Sequence, residues 1–292
     1  MSAPQDHHYL PIFYQQSWTG PDGKIVRYHR PHKNVVASPI TPKHTGYERG
    51  LYSMPGVPPG REQQIETDFM TPHVDTPGSE AYRVLLDEAP ERLTPELRKS
   101  WTLFLMAMSM RDPQSLAEMQ TMALGIFKDN LKANQDEYEK TRGPSDPVDR
   151  YEYIQQNEPH VLDNIIKAYL PGLIDNENIG QHIINMNWTT LNLKVAGLTL
   201  LTGDRPYIRT HNLRHPDCTL ILPLSPTLLF LATNSLEQTK SIHSHSAKQV
   251  VADTNNGIAC RAIKSVYGST NSHLRFVENR LGRKSLPIPE WK

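Results

Sequence analysis

The chain has little cysteine, no surplus of charge of either sign and no long hydrophobic run. Its 292 residues include two cysteines, Cys218 and Cys260, which are too few for a disulfide framework or a thiolate zinc cage. This low content fits a reducing compartment, so we predict a cytoplasmic location. Lysine plus arginine balance aspartate plus glutamate at 31 each, so any binding to nucleic acid would depend on a local patch.

Several signals of common protein classes are also absent. The longest apolar stretches, 103–108 and 220–232, are too short to cross a bilayer or contain proline, and residues 1–6 lack the pattern of a signal peptide. We therefore predict no membrane partner and no export. The chain has no glycine-rich phosphate loop, no Gly-Xaa-Ser-Xaa-Gly elbow, no His-Glu-Xaa-Xaa-His and no Cys-Xaa-Xaa-Cys, which disfavours P-loop nucleotide hydrolysis, a serine esterase and a thiolate zinc site.

Apolar periodicity predicts helices in the middle of the chain. Thr94 can cap a helix that begins at Pro95, and that helix should end before Pro113. Ser115 and Glu118 have the spacing of a capping box and predict the start of a second helix. A third helix is predicted after the glycine- and proline-rich break that follows.

Alternating and β-branched residues predict strands towards both ends. A strand at 24–28 follows a turn signal at 20–23 and indicates an N-terminal hairpin. Short runs between 188 and 231 predict a small antiparallel sheet, although the last run, 228–231, also fits a helix. Residues 246–267 fit a closing C-terminal helix. The predicted fold class is α+β, with a mostly helical middle, an N-terminal hairpin and a small antiparallel sheet late in the chain.

Two adjacent histidines, His7 and His8, begin a segment rich in aromatic residues. Termini usually fray, but a segment with so many large apolar side chains is expected to be held in the fold. Neighbouring side chains of a strand point to opposite faces, so only one histidine can face a given site. We favour His8, three residues before Pro11, as a base, an acid or a metal ligand. The alternative is a structural histidine bonded to backbone.

Two carboxylates, Glu66 and Asp204, complete a candidate metal site with His8. One histidine and two carboxylates suit one divalent metal ion, which could activate water to hydrolyse a phosphodiester or an ester. The alternatives are local. Asp204 could fix its Gly-Asp-Arg-Pro turn, and Glu66 could be a charge favoured by the dipole at a helix start.

Arg111 and Asn255 are further candidates near the same site. Arg111 follows an apolar helix and could clamp an anionic group through two parallel hydrogen bonds, either a substrate phosphate or the Asp204 carboxylate. A buried ion pair or a bond to the last helix carbonyls is an equally open alternative. Asn255 lies in the closing helix and could donate a hydrogen bond to substrate, but asparagine is also common where a helix is interrupted.

A local basic cluster lies within residues 24–33. Arg27 and Arg30 surround Tyr28 in this cluster, and basic side chains next to an aromatic ring can follow a phosphate backbone while stacking a base. We predict that these three residues bind an anionic substrate or nucleic acid. Solvated charges on a hairpin are the alternative.

Six short motifs occur in the order that is typical of one bacterial family of uncharacterised proteins. They are His8-Tyr9-Leu10-Pro11-Ile12-Phe13-Tyr14, Ile65-Glu66, Arg111-Asp112-Pro113, Leu201-Thr202-Gly203-Asp204-Arg205-Pro206, Leu222-Pro223-Leu224-Ser225-Pro226, and Asn255 or Asn256. The chain resembles the DUF4238 family over most of its length. The resemblance implies a single domain, here 1–292, and marks the motif positions as important, but it implies no activity. Gly203 stands where the resemblance leads us to expect serine. We further predict a flexible or loosely packed tail at 280–292.

Three functional hypotheses follow from these residues. The first is a metal-assisted hydrolase, in its boldest form a nuclease-like phosphodiesterase, in which His8, Glu66 and Asp204 hold the metal or activate water while Arg111 stabilises anionic charge. The second is a non-catalytic binding or regulatory protein in which the motif residues form a structural polar network. The third is a nucleic-acid binder without chemistry that depends on residues 24–33 alone.

Overall fold

Ten strands and eleven α-helices form within residues 5–87, 89–283, 289 and 291, which the computed structural model describes. The strands are β1 Asp6–His8, β2 Ile25–His29, β3 Val36–Ile40, β4 Tyr47–Arg49, β5 Asn187–Asn192, β6 Thr202–Gly203, β7 Ile208–Arg209, β8 Thr219–Ser225, β9 Leu228–Thr233 and β10 Ser265–Gly268. The helices are α1 Ile12–Gln15, α2 Thr76–Asp87, α3 Pro95–Met108, α4 Pro113–Ala133, α5 Gln135–Thr141, α6 Arg150–Asn157, α7 Pro159–Ile174, α8 Glu177–Asn185, α9 Leu236–Ser244, α10 Ala247–Arg261 and α11 Leu274–Glu278. A π-helical segment, Ile65–Asp75, leads directly into α2. The predicted α+β class with a helical middle is confirmed.

Every strand pairing in the described structure is antiparallel. The sheets have the orders β1-β4, β3-β2-β10-β6 and β5-β9-β8-β7. The predicted N-terminal hairpin forms between β2 and β3, and the turn before β2 closes through a hydrogen bond from Gly23 N–H to the Gly20 carbonyl. Strand β2 also pairs with β10, where Tyr28 lies opposite Val266. The start and the end of the chain therefore share a sheet.

Two local predictions need correction at helix ends. The closing helix forms as α10 but ends at Arg261, and β10 takes the place of its expected last turns because residue 262 is already extended. At the start of α4, the Asp112 carboxylate accepts hydrogen bonds from the N–H groups of Gln114 and Ser115, so Asp112 rather than Ser115 is the cap. The ambiguous run at 228–231 is strand β9.

The third sheet is buried on both faces. Alternate residues of β8 and β9, such as Leu222 and Phe230, pack with Trp101 in a core that includes α2 and α3. The residues between them, such as Ile221 and Leu231, pack in a second core that includes α10. Burial on both faces explains why these strands have continuous apolar sequences rather than a clear alternation.

Aromatic residues fix the N-terminal segment to the rest of the chain, as expected. The Tyr14 hydroxyl donates to the Pro223 carbonyl at 2.7 Å, and the Trp18 ring N–H donates to the Leu200 carbonyl at 3.0 Å. Both side chains are fully buried. The segment therefore cannot fray without exposing two large aromatic rings and two buried carbonyls.

The predicted tail at 280–292 lies partly outside the described residues. Of the residues that are described there, Leu281 and Trp291 are buried, and the Trp291 ring N–H donates to Asp253 at 3.2 Å. No helix in the described part of the chain has the length and apolar character needed to cross a membrane.

Gly46 tests how tightly the N-terminal segment is packed. Its φ is +69°, and a Cβ there would lie 2.8 Å from Gln15 Nε2 and 2.9 Å from Leu10 Cβ. Gly23 has nearly the same φ, +70°, with nothing within 4 Å. At either position alanine must adopt a left-handed backbone conformation, which costs about 1 kcal/mol of folding free energy. We expect Gly46→Ala to lower the free energy of unfolding by about 2 kcal/mol more than Gly23→Ala in urea denaturation. Equal losses would contradict the close packing.

Candidate functional site

The two N-terminal histidines point to opposite faces of β1. His7 is fully buried and stacks on Tyr52 at 5.3 Å between ring centroids, while its Nδ1 accepts the Tyr52 N–H at 2.9 Å. The His8 ring instead lies against Tyr47, and burial lowers its pKa although the Lys43 carbonyl opposes this. His7 thus packs on Tyr52, whose hydroxyl donates to the Arg111 carbonyl at 2.9 Å, while the favoured His8 packs on Tyr47 and has a buried Nε2 without a partner among the described residues.

Arg111 is held in a buried ion pair with Asp75. Its Nη1 and Nη2 donate to the two Asp75 carboxylate oxygens at 2.6 and 3.0 Å, and Nη2 also donates to the His8 carbonyl at 2.7 Å. Burial alone would lower the pKa of Arg111, but Asp75 and Tyr52 together raise it. This arrangement is the structural alternative for Arg111, with Asp75 rather than Asp204 as its partner.

The π-helical segment places two carboxylates near this guanidinium. Asp75 is the last residue of the segment and Glu66 its second. The Glu66 Oε1 accepts from Thr71 at 3.1 Å, and Oε2 is buried without a hydrogen-bond partner among the described residues. Burial raises the pKa of Glu66, and the charge of Arg111 opposes that rise. π-Helices are rare and occur mostly as single-turn bulges, which are frequent at functional sites, so a π-helical segment of 11 residues is a notable feature of the chain.

Asp204 is buried and bound to backbone N–H groups of a distant segment. Its carboxylate accepts from the N–H groups of Ile263 at 3.1 Å, Lys264 at 2.5 Å and Ser265 at 3.0 Å. Burial raises the pKa of Asp204 to about 6, although these hydrogen bonds oppose the shift. Asp204 thus holds the connection between α10 and β10, which explains why α10 ends where it does.

The structure does not bring the three predicted metal ligands together. The His8 ring contacts Tyr47, Glu66 bonds Thr71, and Asp204 bonds the segment after α10. Among the described residues, no group of three or more His, Cys, Asp or Glu side chains is arranged to hold a metal ion.

The side chains of two predicted substrate-binding residues form hydrogen bonds to backbone groups. Asn255 accepts the Leu201 N–H at 2.7 Å and donates to the Thr199 carbonyl at 2.8 Å, so it holds the chain that enters β6. Tyr28 is fully buried, and its hydroxyl donates to the Thr270 carbonyl. Neither residue is part of the lining of the cavities described below.

The other two predicted binding residues, Arg27 and Arg30, line a cleft with a volume of about 620 Å³, hereafter the basic cleft. Arg27 and His29 flank Tyr28 in β2 and therefore project to the face opposite that ring. The cationic side chains that line the basic cleft are Arg27, Arg30, Arg49 and Lys264, against one carboxylate, Glu48.

Arg27 and His29 leave unused hydrogen-bonding capacity in the basic cleft. Arg27 Nη2 lies 3.2 Å from His29 Nε2, while Arg27 Nε and His29 Nδ1 are buried without partners among the described residues. Burial, followed by the charge of Arg27, lowers the pKa of His29. A neutral histidine beside an arginine that lacks a carboxylate partner is an arrangement that favours an anion.

A comparison with models of protein families identifies the family of the chain. The family model described as "Protein of unknown function (DUF4238)" matches residues 6–272. The chain belongs to the DUF4238 family. The match runs from β1 to the residues just before α11 and so includes the Arg111 ion pair, Asp204 and the basic cleft. No curated protein and no solved structure matches the chain. Membership of DUF4238 assigns no activity.

Sequence reasoning missed several residues of this DUF4238 chain that the structure places at the candidate sites. Asp75 precedes Thr76 and a proline, a sequence typical of a helix start, and that signal could have drawn attention to its carboxylate. Arg49 and Lys264 reach the basic cleft from β4 and from the connection before β10. No local pattern marks either of them.

The Arg111 ion pair leads to a stability prediction. We expect Asp75→Asn to lower the free energy of unfolding by about 3 kcal/mol, because it leaves a buried guanidinium without its counter-charge. The matched control is Glu48→Gln, which breaks the exposed ion pair with Lys264 (Nζ–Oε2 3.0 Å) and should cost less than about 1 kcal/mol. Urea denaturation measures both losses, and comparable losses would contradict the structural role of the buried pair.

The raised pKa of Asp204 leads to a pH prediction. Because its folded pKa is about 6 and its ordinary value is 3.8, the protonated form favours folding, and this contribution is lost as the pH rises through 6. Relative to Asp204→Asn, the wild type should lose about 3 kcal/mol of unfolding free energy between roughly pH 4 and pH 7. Denaturation of both proteins across that range measures the difference. Parallel stability curves would show that Asp204 does not titrate there.

Proposed function

We propose that this DUF4238 protein is a non-catalytic binding protein for phosphate-bearing anions, with the basic cleft as its binding site. The observation that carries the proposal is Arg27, a half-buried guanidinium with a free buried Nε and no ion pair to a described carboxylate. A buried polar atom without a partner is costly unless a ligand or water satisfies it. A bound anion would satisfy Arg27 Nε directly.

The charge of the basic cleft supports an anionic ligand. Lys264 is paired with Glu48 at 3.0 Å, so the remaining cations, Arg27, Arg30 and Arg49, face no further carboxylate of the cleft lining. Guanidinium groups match phosphate geometry through paired donors. The cleft volume of about 620 Å³ lies within the range of small-ligand sites.

Aromatic side chains in the cleft support a nucleotide-like ligand in particular. Tyr47 is half-buried at the cleft, and a ring in that position can stack a base while arginines hold the phosphate. Tyr267 also lines the cleft, but its hydroxyl bonds Thr45 at 2.8 Å. We therefore take single-stranded nucleic acid as the probe.

The bonding of the motif residues supports a binding protein over an enzyme. Arg111 bonds Asp75 and a carbonyl, Asp204 bonds three N–H groups, and Asn255 bonds an N–H and a carbonyl. Residues with these hydrogen bonds stabilise the fold. If they broke the bonds to take part in a reaction, buried backbone groups would be left without partners. A single domain over 1–292 and a cytoplasmic location stay predictions, the first supported by the β2–β10 pairing and the second by two free, buried cysteines.

A metal-assisted hydrolase, as a nuclease-like phosphodiesterase in its boldest form, is the second candidate. Glu66 favours it, because its raised pKa and unpartnered Oε2 are typical of carboxylates that take part in proton transfer. A hydrolase would need metal ligands other than the set His8, Glu66 and Asp204.

The proposal is tested by binding of a fluorescently labelled single-stranded oligonucleotide. We expect Arg27→Gln to weaken binding about tenfold or more, because a charge-assisted hydrogen bond contributes roughly 1.5–3 kcal/mol. The affinity of the wild type should fall with rising salt, and Arg27→Gln should reduce that slope by about 1. The matched control is Lys33→Gln, an exposed cation of the same hairpin that does not line the cleft, which should bind as the wild type does.

Three results would count against the proposal. Equal effects of Arg27→Gln and Lys33→Gln would assign binding to general surface charge rather than to the basic cleft. No binding by the wild type at low salt would overturn it. Cleavage of the oligonucleotide in the presence of Mg²⁺ or Mn²⁺, lost in Glu66→Gln with the fold intact by circular dichroism, would favour the hydrolase.

A further inference from the structure

A second cavity, of about 480 Å³, lies where the end of α3, the start of α4, strand β7 and the end of α10 meet. Its lining combines three arginines with four methionines, and we call it the Met–Arg cavity. The arginines are Arg205, Arg209 and Arg261. The family-like motifs include Arg205, but sequence reasoning singled out neither Arg209 nor Arg261, because the residues that line this cavity come from three distant parts of the chain.

The arginines of the Met–Arg cavity outnumber their counter-charges. Arg205 lies 3.5 Å from the Asp112 carboxylate, which also caps α4. No described carboxylate lies within ion-pair distance of Arg209 or Arg261, and Arg261 Nε is buried without a partner among the described residues. Glu118 also lines the cavity and accepts from Gln114 at 2.9 Å. Three guanidinium groups and two carboxylates therefore leave the lining with an excess of one positive charge, and the repulsion between Arg209 and Arg261 falls when an anion lies between them.

The positive charge also affects the arginines themselves. Burial lowers the pKa of Arg261, and the nearby charge of Arg205 lowers it further. Two like charges that approach each other in a partly buried space are unfavourable without a ligand. The electrostatics of the cavity therefore favour an anionic ligand.

The four methionines that line the cavity lie next to an exposed apolar stripe on α4. Met108 and Met110 come from the end of α3, whereas Met119 and Met122 lie on α4. Met122 is 68% exposed, and Ile126, one turn further along the same helix face, is 58% exposed. Methionine adapts its shape to varied apolar ligands. The stripe from Met119 to Ile126 is about 10 Å long by the rise of an α-helix.

We propose that the Met–Arg cavity binds a single-chain amphiphilic anion, with a phosphate or carboxylate head at Arg209 and Arg261. The apolar chain lies along Met119, Met122 and Ile126. A head of this kind satisfies the free Arg261 donor, and a chain of this kind covers apolar surface that is otherwise exposed. The site shares none of its proposed contacts with the basic cleft, so it stands independently of the proposed function.

Octyl phosphate below its micelle concentration is the probe, measured by isothermal titration calorimetry. We expect the wild type to bind octyl phosphate at least tenfold more tightly than inorganic phosphate or octan-1-ol. Inorganic phosphate has only the anionic head, and octan-1-ol has only the apolar chain. Arg261→Gln should weaken binding about tenfold or more, and Met122→Ser should weaken it several-fold. The control is Arg83→Gln, an exposed arginine of α2 away from the cavity, which should bind as the wild type does.

Arg209→Gln keeps the test decisive if the partly buried Arg261 cannot be replaced without unfolding, since Arg209 is exposed. It should also weaken binding about tenfold. The proposal is overturned if octyl phosphate does not bind, if inorganic phosphate or octan-1-ol binds equally well, or if neither arginine variant weakens binding. Binding to phosphatidylglycerol vesicles without binding to the monomeric probe would overturn the assignment to a single-chain ligand.

Discussion

The buried guanidinium of Arg111 is the constraint on which the N-terminal half of the structure depends. A charge that is 1% exposed depends on partners within the chain, and both Nη atoms find them in Asp75 and the His8 carbonyl, while Nε has none among the described residues. These bonds join β1, the end of the π-helical segment and the junction between α3 and α4. The Tyr52 hydroxyl adds a bond to the Arg111 carbonyl at 2.9 Å. One side chain thus fixes the relative positions of segments about a hundred residues apart.

Asp204 plays the equivalent role at the other end of the chain. Its carboxylate accepts hydrogen bonds from the N–H groups of Ile263, Lys264 and Ser265. These bonds hold the connection between the end of α10 and the start of β10. Strand β10 then pairs with β2, which carries Arg27. The basic cleft therefore depends on Asp204 indirectly, because Asp204 positions Lys264 and the strand next to Arg27. Its effect on any ligand passes through the backbone.

Local signals in the sequence predicted much of the fold. Thr94 caps α3 as its spacing indicates, and the apolar periodicity of α7 and the strand character of β5 are both present. Predictions failed where a distant group overrode the local pattern, as Asp204 does at the end of α10, and where two nearby residues could fill the same role. Asp112 displaced Ser115 as the cap of α4, since it stands at the position where its carboxylate reaches two N–H groups.

The candidate sites were less predictable than the fold for the same reason. The alternation of β1 predicted that the histidines face opposite ways, but nothing in the sequence says which face carries Arg111. Choosing His8 over His7 was therefore a choice between two faces without information on the partner of either. Likewise Tyr28 and Arg27 are neighbours in the sequence and lie on opposite faces of β2, so only Arg27 reaches the cleft.

The distribution of satisfied and unsatisfied charge changes where function is to be sought. Of the motif residues, Arg111, Asp204 and Asn255 bond mainly to partners within the chain, whereas the buried atoms His8 Nε2, Glu66 Oε2 and Arg111 Nε have no partner among the described residues. The arginines with buried, unpartnered Nε atoms in the two cavities, Arg27 and Arg261, lie outside those motifs. A charge with a complete set of partners stabilises a fold, whereas an accessible charge without partners has free energy to gain from a ligand. By that criterion Asp204 and Asn255 belong to the framework, the unpartnered Oε2 of Glu66 favours the hydrolase, and the two arginine-lined cavities are the surfaces on which we propose that this family member binds its ligands.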